Sequence, residues 1–308
     1  MTQNSTATLD QPVKVATFQG VSARRKLTNN AATVLVSASV LIAMVPLLWV
    51  LYSVITKGIT ALTSAQWFTN SQSGMTAFSP GGGVYHAIVG TLLQGIVCAI
   101  ISIPIGVLVA VYLVEYGGGT RLGKLTTFMV DILTGVPSIV AALFIYALWV
   151  ATLGFERSGF AVSLALVLLM IPVIVRATEE MLRIVPMDLR EASYALGVPK
   201  WKTIVRIVIP TALSGIVTGI MLALARVMGE TAPLLILVGY AAAMNFDMFG
   251  GFMGSLPGMM YDQISAGAGA NPVPTDRLWG AALTLILLIA ILNIGARLVA
   301  KIFSPKKV

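Results

Sequence analysis

One cysteine, Cys98, and one histidine, His86, occur among 308 residues, and charged side chains make up only 10% of the chain. A lone thiol excludes an intrachain disulfide, and one thiol with one imidazole excludes the Cys/His sets that hold zinc. The single histidine also argues against Ser–His nucleophilic chemistry. A soluble domain carries about 25% charged residues, so this chain falls outside that class.

What fills the space is apolar: 57% of residues are hydrophobic and the mean hydropathy is +0.91. Strands of outer-membrane barrels alternate apolar and polar residues, whereas here the apolar runs are continuous. Crossing a hydrocarbon core takes about 20 residues as a helix. Six runs meet that length, at 32–55, 86–114, 125–151, 159–175, 208–228 and 278–300. The fold class expected is all-α, a polytopic membrane protein of six transmembrane helices, with a transmembrane domain over 32–303. Gly135 and Pro137 are expected to kink the third span. Residues 1–31 are polar and rich in Ser, Thr and Gln, which reads as a disordered tail. The run after it exceeds the 7–15 residues or so of a signal-peptide core and is taken as an uncleaved first span.

Basic residues set the orientation. Lys14, Arg24, Arg25 and Lys26 precede the first span, Arg121 and Lys124 separate the second and third, and Arg176, Arg183, Arg190, Lys200, Lys202 and Arg206 separate the fourth and fifth. Arg297, Lys301, Lys306 and Lys307 close the chain, against only Lys57, Arg157 and Arg277 on the other side. Positive-inside bias then puts both termini in the cytoplasm. The same bias accounts for the net charge of +8 without nucleic acid as a partner. Two long outward loops are expected, at 56–85 and 240–277. The second begins with a Met/Phe/Gly-rich stretch around Asn245-Phe246-Asp247 that suits either the membrane interface or packing on the spans. No internal repeat is visible.

The segment from 176 to 207 is polar between two apolar runs. Asp188 can cap a helix, with Glu191 three residues later reaching back to the cap's N–H. Gly197 suits the left-handed position that ends a helix, and Pro199 the first turn of another. A helix of about 8 residues, roughly 12 Å, is marginal alone and must pack on something. Glu191-Ala192-Ser193, Gly197, Ile207, Ile209 and Pro210 together resemble the cytoplasmic EAA loop of ABC importer permeases. Ser193 stands for the second Ala, and Ile209 for the usual Leu. The resemblance implies that this loop docks on a separate ATPase subunit, with Glu191 and Gly197 as coupling residues.

Asp131, Arg226 and Glu230 are ionisable residues inside apolar runs, where a charge costs about 2.5–3.5 kcal/mol at a helix centre on insertion scales. Arg226 and Glu230 are four apart, hence expected on one helix face. Two readings are open for them: a self-neutralising pair that lowers insertion cost, or an anion step in a translocation path. A guanidinium fork matches oxyanion geometry, and a carboxylate can accept the O–H of partly protonated phosphate, which sulfate does not offer. Asp131, two turns after Lys124, is expected near the cytoplasmic interface with a basic partner, or else on the path. His86 and Cys98 are expected to be interfacial and packing residues.

The words from Arg226 to Leu234, with Gly135-Val136-Pro137-Ser138-Ile139-Val140 and Ser255-Leu256-Pro257, resemble the PstA-type permeases of phosphate-specific ABC importers, from about His86 to the C-terminus. That family has the type I (MetI-like) permease fold and a bacterial inner-membrane location. The resemblance implies a chain with no cofactor of its own, ATP and Mg being bound by the partner ATPase. Its implied partners are a homologous second permease, two ATPase subunits, an extracytoplasmic phosphate-binding protein, phosphate and membrane lipid. It also implies Arg226 and Glu230 as substrate-path residues. Arg176 fits either a family path position or an arginine snorkelling at the interface. Gly118 to Lys124 has P-loop spacing, but Leu125 stands where the Mg-binding Ser or Thr is required, so a basic glycine turn is expected there. The alternatives are the sister permease, a permease for molybdate or sulfate, and a gradient-driven carrier, for which an ATPase dock would have no use.

Overall fold

The computed structural model describes residues 22–303. The first 21 residues of the expected tail, with Lys14, and the basic pair Lys306 and Lys307 lie outside the described residues. The chain divides into two compact units at Tyr52/Ser53. Helix α1 (Ala23–Leu62) carries the chain across that boundary and begins about nine residues before the expected span, so 23–31, expected to be part of a disordered tail, are helical. Its segment 32–51 is apolar around the circumference, the pattern of a helix solvated by lipid.

The second unit carries the remaining helices: α2 (Ala65–Thr69), α3 (Tyr85–Val111), α4 (Arg121–Thr134), α5 (Ser138–Ile145), α6 (Gly159–Ile184), α7 (Met187–Ala195), α8 (Lys200–Thr203), α9 (Ile209–Met228), α10 (Ala232–Leu237), α11 (Leu256–Ser265) and α12 (Pro272–Phe303). Wider π-turns extend α3 through Tyr116, extend α5 through Thr152 and join α8 to α9. No strand occurs among the described residues. Among the described residues, five helices are long and apolar enough to cross a membrane, and six if the bent pair α4/α5 counts as one span. The expected kink in that pair is a break of 105°. Pro137 has no N–H to continue the helix and disfavours helical geometry at Val136, so α4 stops at Thr134 and α5 restarts at Ser138.

Helix α6 is the centre of the second unit, packed between α3 and α9. Burial of apolar side chains from water cannot drive this in lipid, so close backbone approach matters. Gly106 of α3 faces Ile174, while Gly215 and Gly219 of α9 face Met181 and Ala177. A methyl group at any of the three would collide with those α6 neighbours. Met170, Ile174 and Leu182 of α6 are fully buried as a result.

Two expectations are corrected here. The fourth span does not end at 175 but runs on to Ile184, so Arg176 lies within α6. The stretch 240–277 is not all loop, since α11 buries Leu256, Pro257 and Met259 against α3 and α12. Ser255 caps α11 by accepting from Gly258 N at 3.2 Å, and Leu256 N donates to Thr91 Oγ1 of α3 at 2.8 Å. Around Asn245 the chain does stay irregular, with Phe246, Phe249 and Phe252 exposed.

Candidate functional site

Helix α7 has 9 residues. Its cap position is Pro186, with Asp188 already inside the first turn and no side-chain cap bond. The expected Asp188/Glu191 capping box is therefore absent; the helix starts two residues early because Pro186 ends the preceding turn in extended geometry. Asp188 still faces the helix dipole favourably. The C-terminal expectation holds. Gly197 has φ +73°, its N–H donates to Tyr194 O at 2.9 Å, and Val198 N donates to Ser193 O at 3.2 Å. This is a Schellman closure. Pro199 occupies the cap position of α8 rather than its first turn.

The two faces of this helix-turn-helix differ. Arg190 and Ser193 are buried, and Ser193 Oγ lies 2.8 Å from Thr203 Oγ1, tying α7 to α8. Glu191, Ala192 and Gly197 point away from the bundle, beside Leu196 and Trp201, which are 83% and 62% exposed. Ile207 and Pro210 are half-buried where the loop enters α9. From Lys200 to Met228 the helix is continuous for 29 residues, about 43 Å at 1.5 Å per residue.

Arg190 makes contacts that sequence reasoning did not anticipate. Its Nε and Nη2 donate to Glu115 Oε1 at 3.2 and 3.0 Å, Nη1 to Val185 O at 2.6 Å and Nη2 to Leu182 O at 3.0 Å. The side chains of Arg190 and Glu115 are 7% and 6% exposed. Lys200 Nζ donates to the Glu115 carbonyl and sits 4.6 Å from the centre of the Tyr116 ring. The only available signal was Glu115 itself, an acid closing a long apolar run.

A second charged cluster joins α4 to α6. Arg176 Nη2 donates to Asp131 Oδ1, and its Nη1 to Glu179 Oε2 at 2.8 Å; Arg183 Nη2 donates to Glu179 Oε1 at 2.7 Å. The basic partner expected for Asp131 is thus Arg176. Glu179, missed from sequence, is the buried member at 8% exposure and has an arginine on each side. A hollow of about 340 Å³ beside it is lined by Gly117, Gly118, Lys124, Asp131, Glu179 and Arg183. Of the basic glycine turn expected at 118–124, only 118–120 lies outside a helix, because α4 already starts at Arg121 and includes Lys124; Thr120 Oγ1 caps α4 by accepting from Gly123 N at 2.9 Å.

Arg226 and Glu230 are not on one helix face. Helix α9 ends at Met228 with Gly229 at its cap, so Glu230 lies beyond the helix. No ion pair joins the two among the described residues, which removes the self-neutralising reading. Arg226 is exposed in the last turn of α9, where the dipole favours a cation. Glu230 instead lines a narrow cleft with Thr91, Gln94 and Gly95 of α3 and Val227 and Met228 of α9. Its volume of about 10 Å³ is about what one water needs. Gln94 Nε2 beside it is a buried donor without a partner.

Cys98 is a packing residue, as expected, and His86, expected at the interface, is buried as well. His86 Nε2 lies 2.8 Å from Tyr240 Oη, and Cys98 Sγ lies 3.5 Å from Met170 Sδ. Burial pushes the Tyr240 phenol up from its ordinary range. Arg277 is buried too and donates to the carbonyls of Thr76, Ser79 and Gly81, pinning the glycine-rich turn.

Residues 102–308 match the family described as binding-protein-dependent transport system inner membrane component. The chain is 55% identical over 301 residues to the phosphate transport system permease protein PstA 1 of Mycobacterium tuberculosis, covering 97% of each. It is 56% identical to PstA of Mycobacterium leprae, over 93% of each chain. PstA of Pasteurella multocida is 40% identical over 92% of this chain and 96% of its own. Among solved structures, an inward-facing form of the MetNI methionine ABC transporter superposes with a TM-score of 0.56 at 20% identity. That alignment covers 72% of this chain and 95% of the other, a likeness of fold.

Proposed function

The chain belongs to the binding-protein-dependent transport inner-membrane family, and from that premise we propose that it is the PstA-type permease subunit of an ATP-driven phosphate importer. The observation that carries the reading is identity of 55% along 97% of a phosphate permease. The exposed face of the α7–α8 loop supports it from the side of energy supply. The loop is the ATPase dock, with Glu191, Ala192 and Gly197 on its outward face. Ser193 holds its two helices together, and Ile207 and Pro210 lead into α9. Both termini and the loop face the cytoplasm, in keeping with the basic residues at that end.

Arg226, at the far end of the same continuous helix, offers the fork that meets a phosphate oxygen. Glu230, across Gly229, accepts the P–O–H of a protonated phosphate and disfavours sulfate, which has no proton to give. Arg176 serves the path at the loop end, held in place by Asp131 and Glu179. A homologous second permease completes the path, two ATPase subunits hydrolyse ATP, and an external binding protein delivers the anion. The chain itself needs no bound cofactor.

Uptake of radiolabelled phosphate, measured alongside co-purification of the ATPase, tests this reading. ATP-dependent uptake that excess sulfate and molybdate leave undiminished is the expected result. Uptake driven by an ion gradient without ATP, or preference for molybdate or sulfate, would overturn it.

A further inference from the structure

We propose that Glu115 is a second coupling residue, fastening α3 to the loop so that α3 and α9 are driven together; this rests on the reading of α7–α8 as the ATPase dock. Two of the walls of the cleft at Glu230 are α9, which supplies Val227 and Met228, and α3, which supplies Thr91, Gln94 and Gly95; α6, α10 and the start of α11 complete it. Of the first two, α9 is covalently continuous with α8. Helix α3 is not, because after Tyr116 the chain reaches the loop only by way of α4, α5 and α6.

Glu115 closes that gap. Its carboxylate takes two N–H groups of Arg190 on α7, while the same guanidinium holds the carbonyls of Leu182 and Val185 where α6 gives way to the loop. Its backbone carbonyl takes Lys200 of α8, and the next residue, Tyr116, carries the Lys200 ammonium on its ring face. The end of α3 therefore meets both helices of the dock and the end of α6 at one point. Stability alone does not call for such a pair, since apolar residues of similar volume often serve as well. A planar fork held on four acceptor contacts supplies fixed direction, which is what transmitting a displacement needs. Glu115 is on this view a positioning residue, remote from the anion.

The test uses the whole complex in vesicles, with phosphate import and ATP hydrolysis measured together. Glu115→Gln keeps shape and one acceptor oxygen but removes the charge. The ATPase is expected to co-purify as in the parent, hydrolysis to continue, and ATP consumed per phosphate imported to rise about tenfold, within the usual range of coupling factors. Glu115→Asp, which keeps the charge, is expected to recover coupling. Lys200→Met is at an exposed site and leaves folding out of the question; a smaller rise in the same direction is expected. Parent-like ratios in Glu115→Gln and Lys200→Met would overturn the proposal. So would loss of the ATPase in step with import, which would make Glu115 part of the dock's shape. Glu191→Lys separates the two levels: an ATPase still bound and coupled in that variant sinks the docking reading. Its detachment beside a normal Glu115→Gln sinks the Glu115 proposal alone.

Discussion

Gly197 shows how much one residue can decide. Its φ of +73° costs an L-residue roughly 1–2 kcal/mol, and its N–H is one of two bonds that close the end of α7. Gly197→Pro is incompatible with both, since proline holds φ near −65° and has no donor. The expected outcome is an α7–α8 turn that no longer presents Glu191 and Ala192, seen as loss of ATPase co-purification. Gly197→Ala is expected to be milder. Ser193, the departure from a second alanine, has a use that the loop resemblance did not suggest: its hydroxyl faces Thr203 inside the hairpin. Arg190 is more exacting. Arg190→Ala leaves Glu115 as a buried charge without its guanidinium, and removing one partner of such a pair typically costs about 3–5 kcal/mol. A lowered unfolding temperature in detergent checks it; an unchanged one would mean that water replaces the guanidinium.

At the scale of elements, the fold depends on helices meeting closely along α6. Gly219 is a tight point of the α6–α9 seam set against a short, stiff side chain, a Cβ there lying 2.5 Å from Ala177 Cβ. Gly219→Leu is expected to push α9 off α6, with an overpacking cost of about 1–3 kcal/mol, and to lower both folded yield and phosphate uptake. A variant with parent yield and uptake would show that the α6–α9 seam is not tight. The elements were largely legible in sequence because lipid makes each span declare itself as a long apolar run. The turn at Gly197 was legible too, for a local reason: glycine suits the left-handed position that ends a helix. The misses are of two sorts. Local breaks were underestimated: Gly229 ends α9 before Glu230, and Pro137 turns an expected kink into a 105° break. Pairings distant in sequence were invisible: Glu115 with Arg190 is 75 positions apart and Asp131 with Arg176 is 45 apart, and no periodicity encodes either. Burial of α11 belongs to the second sort, since Leu256 and Met259 look like any interfacial segment until Thr91 and α12 are placed against them.

For the whole second unit, the loop and the charged groups are two ends of one mechanical arrangement. Helix α9 spans the distance as a single rod, α3 is tied to the same loop through Glu115, and α6 is packed between them. Arg226 is exposed at the end remote from that loop and forms no ion pair with Glu230; under the proposed function it is the group that meets an incoming anion. The most direct measurement is of radiolabelled phosphate import and ATP hydrolysis in the same vesicles, comparing the parent complex with Arg226→Gln. The account predicts that hydrolysis and ATPase docking persist while phosphate import falls to background. Import at the parent rate in Arg226→Gln would contradict it.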